Sequence, residues 1–235
     1  MTIRASVCFA LVTALLAVAA PCAPEAVPEP TPNLESQAAI ERLVATINEA
    51  QGGGPGDSIP AMAEQLRRRV TDRGDSLLLQ LVLYMAAHPG NETAMGSALL
   101  IDYYGFADEE KAAVLTPHVA SDDDRLRDTV LETLSTVKQP PEIRENVERM
   151  QAIEPLLVGS RAATSAELDQ ARDRIDSLSR EDAWWVRMYA ARAVRIYPEL
   201  GSSELVGRLR TDEDPRVREA AAKQPASGHL STRPD

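Results

Sequence analysis

The side chains that could do chemistry in this chain are few and scattered. The three histidines, His88, His118 and His229, share no ligand spacing, and no His-Glu-x-x-His or Cys-x-x-Cys pattern occurs. Zinc chemistry would need such residues convergent on one helical face or one knuckle. His88 precedes Pro89-Gly90, His118 follows Pro117 and His229 sits in a polar tail, settings typical of turn and surface histidines. Neither a Gly-x-Ser-x-Gly nucleophile elbow nor a glycine-rich phosphate loop is present. Asp122-Asp123-Asp124 invites a calcium reading, but the loop glycine and the distal glutamate of a calcium loop are missing. Helix capping explains the three acids better. The expectation is a chain with no catalytic residues, no cofactor and no metal.

Composition narrows the remaining classes. The 235 residues carry 25 Lys+Arg against 36 Asp+Glu, a net charge of −11. A surface that tracks phosphates or seeks anionic lipid needs a basic field, so neither nucleic acid nor a membrane surface is expected as a partner. A neutral or cationic protein or peptide fits the charge. Nine aromatics and 35 alanines disfavour pleated sheets, which want aromatic and β-branched residues, and favour closely packed helices.

The first nineteen residues read as a secretory signal: Arg4, an apolar run over 5–20, and Ala17-Val18-Ala19 as the cleavage site. The run is 16 residues long, short of the roughly 20 that span a bilayer, so cleavage is preferred to an anchor. Cleavage there removes Cys8 and leaves Cys22 as the only thiol, which precludes an intramolecular disulfide. Cys22 also raises lipidation, but Pro21 stands where a lipobox wants a small residue. Five prolines over 21–32 make 20–33 a tether. The expected location is periplasmic or extracellular. Asn91-Glu92-Thr93 is a formal glycosylation acceptor that matters only in a eukaryotic host.

From Leu34 onward the apolar spacing is helical, and turn residues interrupt it every 12 to 18 positions. The spacing predicts helices over 37–50, 60–73, 75–87, 92–104, 108–119, 122–137, 141–158, 164–179, 181–197, 201–210 and 212–223. Short connections between short helices call for pairs stacked side by side rather than one bundle. After Lys223 a polar tail over 224–235 is expected to be disordered.

Three of these segments align without gaps on an apolar-Arg pair: Leu126-Arg127, Val186-Arg187 and Val217-Arg218, spaced by 60 and then 31 residues. The first interval is two periods, with a degenerate rung near Leu156. At 100° per residue from Val186, the residues Tyr189, Ala190, Ala193, Val194 and Tyr197 fall within an arc of about 140°. Leu126, Thr129, Val130, Thr133, Leu134 and Val137 reproduce that arc, and Val217, Ala220 and Ala221 begin it again. Acids precede each pair (Asp122 to Asp124; Glu181 and Asp182; Asp212 to Asp214), where they can cap helix N-termini. Pro215 suits a first helical turn. Each arginine lies about 100° off the core centre, placed to pair with an acid of an adjacent turn or repeat.

The pattern resembles the HEAT repeat family, in particular the short HEAT-like repeats named after phycobilisome lyases, whose second helix opens Asp-x-x-Pro-x-Val-Arg-x-x-Ala-Ala. Residues 212–221 match nearly completely, 181–194 well, and 122–134 more loosely. The signature positions are Asp182, Val186, Arg187, Asp214, Pro215, Val217 and Arg218. The resemblance implies an all-α fold: a right-handed superhelical solenoid of antiparallel helix pairs over 34–223. It also raises a bilin-lyase activity, against which the export signal and the missing catalytic set speak. An interaction or scaffolding module is therefore expected, with an envelope-tethered assembly factor as the alternative. Opposite the apolar arc of the 181–197 helix lie Trp184, Met188, Arg192 and Arg195, an aromatic flanked by cations, the residue types favoured at binding hot spots. These four are the candidate partner-binding residues, unless Trp184 packs internally against the 164–179 helix. Trp185 borders the apolar arc and is expected to be structural.

Overall fold

Asn33 opens the first helix of the computed structural model by accepting hydrogen bonds from the backbone N–H groups of Glu35 and Ser36, which satisfies donors that a helix start leaves free. The structure describes residues 29–54, 56–158 and 164–223; the expected signal segment, Cys22 and the 224–235 tail lie outside these residues. So do the side chains of Asn91 to Met95, and with them the glycosylation acceptor.

The described residues form helices α1 (Leu34–Gln51), α2 (Ile59–Thr71), α3 (Leu77–Ala87), α4 (Asn91–Tyr104), α5 (Asp108–Leu115), α6 (Asp124–Ser135), α7 (Pro141–Gln151), α8 (Glu154–Val158), α9 (Ser165–Leu178), α10 (Trp184–Ile196), α11 (Ser203–Arg210) and α12 (Pro215–Ala222), with 3-10 turns at Thr116–His118 and Pro198–Leu200. No strand occurs among them, and none of these helices is long and apolar enough to cross a membrane. The all-α class follows from the 3.6-residue apolar spacing.

The expected 141–158 helix is broken into α7 and α8. Pro155 has no N–H to donate and its ring clashes one turn back, so the chain turns at Ala152-Ile153 and Pro155 falls in the first turn of α8. Pro117 likewise converts the end of the expected 108–119 helix into the 3-10 turn. Leu156, near which the spacing set a degenerate rung, falls within α8.

Two helices are buried nearly all round: α3, which is apolar on almost every side, and α10, which carries arginines as well. α3 buries Leu77, Leu78, Leu81, Val82, Leu83, Tyr84 and Ala86 between α1, α4, α5 and α6. α10 buries every residue from Trp185 to Val194 against α9, α11 and α12. Between these centres α6 packs on both α3 and α7. The predicted arc of α10 is the core: Val186, Tyr189, Ala190 and Ala193 are all inaccessible, and Val194 nearly so.

Two glycines set local geometry. Gly105 ends α4 at φ 60°, the left-handed conformation that side chains disfavour. Gly96 lets α4 approach α1, since a Cβ there would stand 2.8 Å from Val44 Cγ1. Gly96→Ala is therefore expected to lower stability by about 1–3 kcal/mol through overpacking, although alanine is the better helix former. Urea unfolding followed by circular dichroism checks this, and a raised midpoint would contradict the close approach.

Candidate functional site

The arginine of every apolar-Arg pair reaches back into the loop before its own helix. Arg127 Nη1 donates to the Ser121 carbonyl at 3.2 Å. Arg187 Nη1 donates to the carbonyls of Glu181 at 2.8 Å and Asp182 at 2.7 Å. Arg218 Nη1 donates to those of Asp212 at 2.6 Å and Glu213 at 2.9 Å. In all three cases an acceptor is the carbonyl six residues back, so one side chain closes the turn that leads into its own helix.

The other edge of the guanidinium then meets a carboxylate from further along the chain. Arg127 Nε and Nη2 hold Glu154 Oε1 and Oε2 at 3.0 and 2.9 Å. Arg187 Nε and Nη2 hold Asp212 Oδ2 and Oδ1 at 2.8 and 3.0 Å. The acid lies 27 residues on in the first case and 25 in the second. Paired fork-to-fork bonds of this kind fix orientation as well as charge. Arg218 meets no such carboxylate among the described residues.

Around the first pair the network widens. Tyr189 Oη donates to Glu154 Oε1 at 2.7 Å, tying α10 to α8. Asp124 accepts from Arg127 Nη1 at 2.8 Å and from Arg192 Nη2 at 3.2 Å. Asp122 pairs with Arg195 Nη2, with Arg192 Nε at 3.6 Å and with Lys223 Nζ at 3.5 Å. Burial, reinforced by the Glu154 charge, pushes the Tyr189 phenol well above its ordinary range. Burial tends to raise the Asp122 carboxyl, but Arg195, Lys223 and Arg192 outweigh it and hold it below the usual carboxylate range. Burial and the Arg127 charge together lower Arg192.

The signature residues divide into those that do as expected and one that does not. Val186 and Val217 are fully buried, and Pro215 starts α12. Asp214 caps α12 by accepting from Arg216 N at 2.9 Å, and Asp123 caps α6 in the same register. Asp182 does not cap: the cap position of α10 is Ala183, which has no side-chain bond, and Asp182 contributes only its carbonyl to Arg187. Capping therefore accounts for one acid of Asp122-Asp123-Asp124, while its two neighbours hold arginines.

The four candidate binding residues do not form an open face. Met188 and Arg192 are 5 % and 3 % exposed, and the Arg195 side chain is 5 % exposed. Asp122 in the turn before α6 and Asp124 at the first position of α6 lie over that side of α10, paired with Arg192 and Arg195. Trp184 is half-buried beneath the Arg216 guanidinium, 3.4 Å from its ring centroid, a cation–π contact between α10 and α12. Arg216 is held there by Asp214 at 2.6 and 3.0 Å. Trp185 is buried in the core. Met188 and Arg195 instead floor a cleft, with Pro117, His118, Ser121 and Asp122 on one wall and Arg216, Glu219, Ala220 and Lys223 on the other. Burial lowers the His118 imidazole, opposed by the charge of Glu29.

Sequence reasoning missed Glu154, the hydroxyl role of Tyr189 and the sharing of Asp122. A search for an acid 25–27 residues after each pair would have found Glu154. It also treated 20–33 as a free tether, whereas Glu29 accepts from Ser121 Oγ at 3.0 Å and Asp122 N at 3.2 Å, and Asn33 N donates to Gln80 Oε1 at 3.0 Å. Among the described residues no group of three His, Cys, Asp or Glu side chains is arranged to hold a metal ion. Comparison of the chain with family models, with curated proteins and with solved structures gives no match.

Three outcomes test this geometry. Glu154→Gln, which leaves a buried guanidinium without its counter-charge, should cost about 3–5 kcal/mol, whereas Arg127→Met with Glu154→Leu should recover most of that loss; equal losses in the two variants would contradict the pairing. Because the Asp122 carboxyl is held low in the folded state, its contribution is complete above its unfolded value near 4 and is lost as the pH falls through the lower folded value. Acid titration of the melting temperature should then show a shallower acid limb in Asp122→Asn. Arg216→Ala should expose one indole face, and acrylamide quenching of a Trp185→Phe background should rise; unchanged quenching would place Trp184 elsewhere.

Proposed function

We propose that this chain is an exported HEAT-like repeat protein acting as a protein–protein interaction or scaffolding module without catalysis of its own. Its architecture in this reading is a right-handed superhelical solenoid of antiparallel helix pairs: α5 with α6, α7 with α8, α9 with α10 and α11 with α12. The observation that carries it is the recurring arginine, which closes its own turn and grips an acid 25–27 residues on. Such a contact made once is a salt bridge; recurring in the same form from α6 to the start of α8 and from α10 to the turn before α12, it supports a repeat interface. Engagement of the acids and arginines around α10 in fixed pairs supports a positioning role for them rather than acid–base work. The bilin-lyase reading has no such support.

Stacked pairs hold their second helices rigidly side by side, and a partner lies along the surface they share. The cleft between the turn before α6 and α12 is the concave part of that surface, and Glu219 and Lys223 are its exposed edge. A photo-crosslinking residue at Glu219 or at Lys223, introduced into the full chain in its own host, should give a discrete protein adduct in the exported fraction. Absence of adducts from both positions would overturn the module reading. The mature protein recovered from that fraction should begin at Ala20; retention of Met1 would contradict export by signal cleavage.

A further inference from the structure

We propose that the cleft floored by Met188 and Arg195 is a binding site for a single glutamate or aspartate side chain of an extended, proline-containing peptide, and that Glu29 of the chain itself stands in for that ligand in this structure. The inference rests on the reading of the chain as a binding module and names the chemistry of its partner.

Three observations converge on a carboxylate. Glu29 is itself an exposed residue from the segment before α1, yet it crosses to Ser121 Oγ and the Asp122 N–H, at 3.0 and 3.2 Å. The donors that meet it belong to the cleft wall. Cations crowd the network behind that wall: Arg127, Arg192, Arg195 and Lys223 pair with Asp122, Asp124 and Glu154, and the charge of Asp128 acts on Arg127 and Arg192 as well. Glu29 adds a further carboxylate at their edge. Finally, Arg195 lines the cleft with its side chain 5 % exposed, and its Nε and Nη1 have no hydrogen-bond partner. A buried guanidinium with open N–H groups is a strong donor for a carboxylate oxygen that reaches it. Glu29 satisfies the outer donors and leaves these inner ones open.

The neighbouring groove indicates a peptide rather than a free anion. Pro30 and Pro32 lie beside Leu83, Ala86 and Leu126 in a mainly apolar depression that Glu29 also lines and that Asp122, Asp123 and Arg125 border, the kind of seat that extended proline-containing segments use. A free anion would gain nothing from it. Across the cleft Glu219 opposes a second acid, while Arg216 and Lys223 favour one and His118, lowered by burial, adds little charge. The site therefore suits one carboxylate, not a run of them. The net charge of −11 describes the whole surface and does not set the sign of this cleft.

The test is calorimetric titration of the full mature chain with an acetylated, amidated peptide of residues 27–32 (Val-Pro-Glu-Pro-Thr-Pro), with acetate as the free-carboxylate arm. Glu29→Gln should bind the peptide about tenfold more tightly than the unaltered chain, because the internal competitor is gone. Replacing the peptide glutamate by glutamine should weaken binding about tenfold, and so should Arg195→Gln in the Glu29→Gln background. Lys223→Gln, at a half-exposed position, should weaken it about threefold. Equal binding of the glutamate and glutamine peptides, no saturable binding to the Glu29→Gln chain, or acetate binding as tightly as the peptide would each overturn the proposal. Adducts at Glu219 together with failure of the peptide would leave the module reading standing and remove only this assignment.

Discussion

A guanidinium taken out of water must be met by a counter-charge and by acceptors for all its N–H groups, and Arg127 is the place where this chain depends on that condition. Its side chain is 3 % exposed. It closes the turn that starts α6, holds Glu154 at the start of α8, and through Glu154 anchors the Tyr189 hydroxyl of α10. Three helices that are distant in sequence are thus fixed by one ionic cluster, in which each polar group is spoken for by another. A buried pair of this kind adds little net stability over an apolar replacement. Its value lies in register: the helices can pack as they do only where the fork and the carboxylate coincide.

Much of this was legible in the sequence, because its signals were local. Apolar spacing gave helix existence and the buried arc of α10, where Tyr189, Ala190 and Ala193 are inaccessible. Two of the three paired arginines, Arg127 and Arg187, meet an acid further along the chain as expected, while Arg218 meets none among the described residues. Helix ends were less legible: Pro155 and Pro117 interrupt the periodic pattern without changing it, and the physics of a missing N–H decided where the chain turns. Ala183 occupies a cap position where the neighbouring Asp182 suggested a cap.

The candidate site illustrates what periodicity cannot supply. A helical wheel shows which residues share a face but not what lies over it. Trp184, Met188, Arg192 and Arg195 do share a face, and Asp122 before α6 and Asp124 at its first position cover most of it. Cations on an uncovered helix would have been a surface; under those acids they became the floor of a cleft and half of an ion-pair network. The part played by Glu29 was hidden for the same reason, since its partners Ser121 and Asp122 are more than ninety residues away.

The most direct measurement is the hydrogen exchange of the arginine Nε–H groups by 15N NMR on the full mature chain, assigned by single Arg→Lys variants. Guanidinium forks locked onto Glu154 and Asp212 predict slow, protected exchange for Arg127 and Arg187, with Arg218, whose Nε meets no carboxylate among the described residues, exchanging fast. Exchange of all three at the rate of Arg218 would mean that the helices are not held together by these pairs, and the proposed repeat reading would lose the observation that carries it.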